Sequence, residues 1–182
     1  MAITRLGGAN AITGTLPAAN INDTSISNIT ALPAGVGGKV LQVVHSSYDT
    51  YVTTTSTSYI TSNVTALITP SSTSSKILVL TNLLGVGADQ ATACARYKLV
   101  RNDTTDIKEF DDIAGYNGGT NSGPTQGYTS HFNYLDSPSA TTQTRYRIYW
   151  KKALGTTVYI NNYANSNNIT TSTMTLMEIA GW

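Results

Sequence analysis

From Lys39 to the C-terminus, the apolar residues of this chain recur at every second position, and that period confines the region to β-strands. The segment Thr144 to Lys152 shows the logic. Tyr146, Ile148 and Trp150 fall on one side of an extended chain, and Arg145, Arg147, Tyr149 and Lys151 on the other. The first set is expected to line a core, the second to face solvent or a neighbouring subunit. The same reasoning predicts strands at Lys39 to His45, Val64 to Thr69, Cys94 to Arg101, Ile107 to Phe110, Thr129 to Leu135, Thr157 to Asn161 and Thr171 to Ile179. A Thr-rich edge or solvent-facing strand is expected at Thr50 to Thr57. Lys76 to Val86 is nearly all apolar and is expected to be a central strand covered on both faces. Turn signals separate these runs at short intervals: Pro70 with its Ser/Thr run, Asn102-Asp103-Thr104-Thr105, and Asp136-Ser137-Pro138-Ser139. Strands so spaced suit an all-β, jelly-roll-like β-sandwich over residues 39–182 rather than βαβ units.

Composition agrees. Thr, Ser and Asn make up about a third of the chain, and charged residues, at 12%, are about half as frequent as usual. Thr suits a pleated, half-wet surface, while Asn and Ser suit turns. Exposed-face helix formers are scarce. The formal net charge of +1 provides no field to steer the protein to nucleic acid or an anionic membrane, so neither is an expected partner. No apolar run approaches a membrane span. The N-terminus lacks the h-region of a signal peptide, so synthesis in a cytosol, without export by the usual route, is expected. Solitary Cys94 leaves no internal disulfide and reads as a small core residue.

Residues 1–38 follow a different pattern. They hold no aromatic residue, and their apolar positions are spaced among Gly, Ala, Asn and Pro: Ile3, Leu6, Ile12, Leu16, Ile21, Ile26, Ile29 and Leu32. Such a segment buries too little by itself to offset its ordering entropy. It is expected to be an extended arm that docks on other subunits, joined through a hinge at Gly35-Val36-Gly37-Gly38.

Chemistry-bearing motifs are few. A Walker loop fails at Pro33 and Val40, and Gly85-Val86-Gly87 lacks the third glycine of a dinucleotide fingerprint. His45 and His131 each sit within a predicted strand, and no Gly-x-Ser-x-Gly elbow accompanies them. Asp103, Asp106, Glu109, Asp111 and Asp112 cluster around a hairpin. They read as a solvated turn, with calcium chelation or a glycosidase pair as rivals. The basic stripe Arg145, Arg147, Lys151 and Lys152 is expected to pair with them, within the chain or across subunits. No cofactor and no metal are expected. The loop Gly115 to Gly127 and the tyrosine after it offer Tyr116, Asn117, Asn121, Gln126 and Tyr128 as a candidate host-ligand surface, since Tyr, Asn, Ser and Gly make adaptable contacts.

Four strings remain. They are Gly38-Lys39-Val40-Leu41-Gln42-Val43-Val44, the run from Ile68-Thr69-Pro70-Ser71 to Lys76-Ile77-Leu78-Val79, Tyr134-Leu135-Asp136-Ser137-Pro138, and Thr175-Leu176-Met177-Glu178-Ile179. Together they resemble a domain of tail fibres and other virion structural proteins of tailed phages, notably marine and cyanobacterial ones. Met1-Ala2-Ile3-Thr4-Arg5-Leu6-Gly7-Gly8 resembles the start of such proteins. The resemblance implies a non-enzymatic virion protein forming homotrimers with jelly-roll-like heads. It would be a short tail fibre or appendage anchored to tail or baseplate proteins and presenting its head to a host surface glycan. The alternative is a decoration (cement) protein on the major capsid lattice; a carbohydrate-active enzyme or free lectin is a more distant third.

Overall fold

The computed structural model describes residues 39–89, 93–114, 128–162 and 169–181, with side chains at all of these except 111–114 and 128. The arm residues Ile3, Leu6, Ile12, Leu16, Ile21, Ile26, Ile29 and Leu32 lie outside the described residues, as does the hinge.

The unit that begins at Lys39 is all-β. Its strands are β1 (Val40–Tyr48), β2 (Val52–Thr54), β3 (Ile60–Ile68), β4 (Lys76–Ala88), β5 (Cys94–Arg101), β6 (Thr105–Ala114), β7 (Tyr128–Asp136), β8 (Thr144–Leu154), β9 (Val158–Ile160) and β10 (Ser172–Ile179). They make two antiparallel sheets. One runs β1-β10-β4-β9-β2, with β7 on the other side of β4; the second runs β3-β8-β5-β6. If the two three-residue strands are set aside, the other eight pair in a nested series: β1 with β10, β3 with β8, β4 with β7, β5 with β6. The chain is thus one long hairpin. Its legs are rolled so that β10 also meets β4 and β8 also meets β5.

Alternation decides which side chains fill the space between the sheets. In β8, Tyr146, Ile148 and Trp150 are buried, and their neighbours are not. They meet Val64, Ala66 and Ile68 of β3, Tyr97 and Leu99 of β5, Ile77, Val79 and Leu83 of β4, and Met174 and Leu176 of β10 in one core. Tyr97, Phe132 and Phe110 stack in series, at centroid separations of 5.5 and 4.4 Å. Cys94 is buried, as its sequence context implied, and burial pushes its thiol pKa up.

Several strand expectations need correction. The strand expected at Ile107 to Phe110 runs Thr105–Ala114, taking in Thr105 of the expected turn, and the one expected at Lys39 to His45 runs Val40–Tyr48. The Thr50 to Thr57 segment is a strand only at Val52–Thr54. Beyond it, Ser56 N–H donates to Thr54 Oγ1 and Ser58 N–H to Ser56 Oγ, local bonds that displace the ladder. The strand expected from Val64 begins at Ile60. A bulge between Thr61 and Thr65, with Asn63 at φ 66°, interrupts the alternation there. The hydroxyls of Ser62 and Thr65 donate to the Ile148 and Tyr146 carbonyls across it. Finally, β4 is central but not covered on both faces. Only Gly85 to Ala88 are buried without alternation; Leu78 is half-buried and Leu80 exposed. Gly85, at φ 57°, lets the backbone close against Thr170 and Asn162, where a side chain would collide.

Candidate functional site

The outward faces of the two sheets differ in chemistry. On the four-stranded sheet several charges pair locally. Asn102 and Asp103, both at positive φ, make the tight turn between β5 and β6. That turn directs Asp103 at the basic stripe, where Arg145 and Arg147 each reach its carboxylate at 2.8 Å and the Tyr149 hydroxyl donates at 3.3 Å. The Arg145 hydrogen bond, helped by the Arg147 charge, holds the Asp103 pKa below the ordinary carboxylate value. Lys98 pairs with Asp106 at 2.8 Å. Tyr59 lies under two cations, Lys98 at 4.6 Å and Lys151 at 4.3 Å, and its hydroxyl donates to Glu109. Of the pairing expected between acidic cluster and basic stripe, the described side chains show Asp103 with Arg145 and Arg147, while Asp106 pairs with Lys98 outside the stripe. No group of metal-ligating residues occurs among the described residues. The side chains of Asp111 and Asp112 lie outside them.

The outward face of the six-stranded sheet is mostly apolar and neutral, with Lys76 beside Ile179 at one end of it. Register places Val43, Met177, Leu78 and Leu135 side by side across β1, β10, β4 and β7. The next row is His45, Thr175, Leu80 and Asn133, and the one beyond it Ser47, Thr173, Asn82 and His131. Val43 is 57% exposed, Leu135 43% and Leu80 39%. A shallow depression of about 230 Å³ lies between β4, β7 and β10, against Leu80, Asn82, His131, Asn133, Thr173 and Thr175. Both histidines thus sit on a strand surface. His45 Nδ1 bonds the Thr175 hydroxyl at 2.9 Å, not a carboxylate.

On the inner side of the same sheet, one row is polar where a core row is expected: Gln42, Glu178, Ile77 and Asp136 across β1, β10, β4 and β7. Glu178 is fully buried. It accepts from Gln42 Nε2 at 2.6 Å and from the Ser71 amide and hydroxyl at 2.7 Å each. Burial pushes its pKa up, but these hydrogen bonds outweigh burial and hold it below 4.5. Asp136 accepts from Arg101 and from the Tyr146 hydroxyl, each at 2.6 Å. The four strings set apart in the sequence therefore supply Gln42, Ser71, Asp136 and Glu178, one each, to this end of the core. Sequence reasoning did not single out these residues; polar residues at inward positions of otherwise apolar strands were the available signal.

The expected consequence of the Glu178 cluster is acid sensitivity. A carboxylate with a lowered folded-state pKa stabilises fully above its unfolded value, here 4.5, and that contribution disappears as pH falls through the lowered value. Glu178→Gln sets an amide donor against the donors of Gln42 and Ser71, and is expected to cost about 2 kcal/mol at pH 7. Urea unfolding of both proteins between pH 7 and 3 checks this: the gap should narrow below 4.5, and a constant gap would contradict it.

Of the candidate ligand loop, Tyr116, Asn117, Asn121 and Gln126 lie outside the described residues. Tyr128 opens β7 opposite Val86, its side chain also undescribed. Compared with known proteins, the chain matches no protein-family model and no curated protein, so its functional reading rests on its own residues and topology.

Proposed function

We propose that this chain is a non-enzymatic structural subunit of a tailed-phage virion, a short trimeric tail fibre or appendage protein. Residues 1–38 anchor it to other virion proteins, and the β unit, read as a jelly roll, is presented to a host surface glycan. The observation that carries this reading is the nested series of strand pairs, β1·β10, β3·β8, β4·β7 and β5·β6, rolled into two sheets. Such a nested, rolled arrangement supports the jelly-roll reading, an architecture used by viral capsid and lectin domains, whose work is surface contact. Architecture alone does not assign function. The arm-plus-body organisation of the sequence and the four phage-like strings supply the rest. The buried carboxylates Glu178 and Asp136 support it too, because each is occupied by structural hydrogen bonds.

A decoration protein is the second reading. It draws on the mostly neutral, partly apolar outer face of the six-stranded sheet, which suits packing in a lattice. Both readings share a multivalent mechanism, in which weak contacts repeated by symmetry add to arm docking. Deleting residues 1–38 is expected to leave a folded β unit, judged by an unchanged far-ultraviolet β spectrum, that is lost from purified particles. Incorporation of the truncated protein at wild-type level would overturn the anchoring role.

A further inference from the structure

The cations of the four-stranded sheet fall into two groups. Arg145 and Arg147 share Asp103, and Lys98 holds Asp106. Arg96, Lys151 and Lys152 reach no carboxylate among the described residues. Register sets Arg96 of β5 directly opposite Lys151 of β8, with Lys152 next along, opposite Ala95. Residues so paired point to one face with Cβ atoms about 5 Å apart, and like charges there repel. On the neighbouring β6, Asp106 is held by Lys98 and Glu109 accepts from the Tyr59 hydroxyl, so neither relieves that repulsion.

The three cations line one cleft of about 350 Å³, together with Thr57, Ala153 and Leu154, and no described acidic residue lines it. Lys151 Nζ lies 4.3 Å from the centroid of the Tyr59 ring, which orients the ammonium without neutralising it. Leu154, 55% exposed, gives the cleft an apolar wall. A like-charged pair kept inside a concavity, with a third cation beside it, is completed by an anion. A bound carboxylate or sulfate turns the repulsion into charge-assisted hydrogen bonds from both side chains.

We propose that this cleft binds an acidic unit of a saccharide, a sugar ring bearing a carboxylate or a sulfate. Arg96 and Lys151 take the anionic group, Lys152 and Thr57 bond hydroxyls around the ring, and Leu154 packs on its C–H face. Size favours that ligand. The cleft falls at the small end of ligand pockets and has room for about one or two pyranose rings. Nucleic acid would need a cationic track along several phosphates. With Arg101, Arg145 and Arg147 already paired and a net charge of +1, the described surface provides one cationic spot instead. The cleft deepens the host-glycan reading and rests on it for the saccharide's source.

Isothermal titration of the full-length protein at low salt tests this with a galacturonate tetramer, a sulfated galactose tetramer and the neutral galactose tetramer. At least one acidic probe is expected to bind at one site per chain, about tenfold or more tighter than the neutral one. Arg96→Gln/Lys151→Gln removes the repelling pair, so folding should survive with an unchanged circular-dichroism spectrum, and the acidic probe should bind about tenfold or more weakly. Lys39→Gln/Lys108→Gln removes the same charge at exposed positions elsewhere and should bind within about two-fold of wild type. Failure of both acidic probes to bind would overturn the proposal, as would full affinity in the Arg96/Lys151 variant. Equal affinity for free acetate or sulfate, or for a thymidine octamer, would reveal an anion spot blind to the sugar and overturn the saccharide assignment. All of these are read on purified protein, so a negative result removes the cleft's role and leaves the particle-incorporation test of the structural-subunit reading unaffected.

Discussion

Asn161→Ala is expected to destabilise the β unit by about 4 kcal/mol or more, much of the 5–15 kcal/mol that holds an ordinary domain together. Asn161 is fully buried at the end of β9, with φ at 64°. Its amide nitrogen donates to the Tyr48 carbonyl at 2.8 Å and the Thr50 carbonyl at 3.0 Å. Its amide oxygen accepts from the Ser172 amide at 3.1 Å and the Ser172 hydroxyl at 2.5 Å. All four hydrogen-bonding sites of the side chain are used, and they tie the end of β1 to the start of β10. Alanine strands those partners without water and adds the left-handed penalty, about 1–2 kcal/mol. Asn161→Gly removes the same bonds without the backbone cost, so it should recover about 1 kcal/mol relative to Ala. Guanidinium unfolding measures both; a loss below about 1 kcal/mol for the Ala variant would contradict the keystone role.

Asp136→Ala is expected to cost about 3–5 kcal/mol, because it leaves a partly buried guanidinium and a buried phenol without their acceptor. The carboxylate joins Arg101 of β5 and Tyr146 of β8 to β7, so it bridges the two sheets. Burial, then the Asp136 bond, raises the Tyr146 pKa far above its ordinary 10, so the phenol is protonated and donates at neutral pH. Tyr146→Phe keeps the ring in the core and removes only that bond, at an expected cost of about 1–2 kcal/mol. A double-mutant cycle of Asp136→Ala with Tyr146→Phe should give a coupling of about 1 kcal/mol or more. Strict additivity would mean that the 2.6 Å contact contributes nothing.

What was legible in the sequence follows from what alternation encodes. β8 was readable almost to the residue because Tyr146, Ile148 and Trp150 obey period two without interruption. The β5–β6 turn was readable because Asn102-Asp103 is chemistry for two left-handed positions. β3 was half-missed because its bulge at Asn63 shifts the phase, and β2 was overextended because the hydroxyls of Thr54 and Ser56, accepting from the Ser56 and Ser58 amides, replace the ladder. Strand order was not encoded locally at all: the pairing of β1 with β10 spans nearly the whole unit.

The site divides in the same way. Pairing of Asp103 with Arg145 and Arg147 followed from opposite charges on a turn and a neighbouring strand. Leu78 and Leu80 were taken for a second core face because a sequence does not reveal whether an apolar outward row is covered by its own chain. Glu178 and Asp136 escaped notice because a lone carboxylate in a strand reads as surface until its partners, Ser71 and Gln42 or Arg101 and Tyr146, are brought to it from distant segments.

If the chain is a virion protein as proposed, quantitative mass spectrometry of purified particles of a phage carrying it tests that central claim most directly. A structural appendage should be present in every preparation, at tens of copies or fewer per particle and in a fixed ratio to tail proteins. Hundreds of copies in fixed ratio to the capsid protein would replace the appendage with a decoration protein. Absence from particles, with the protein abundant in the infected lysate, would contradict the structural account altogether.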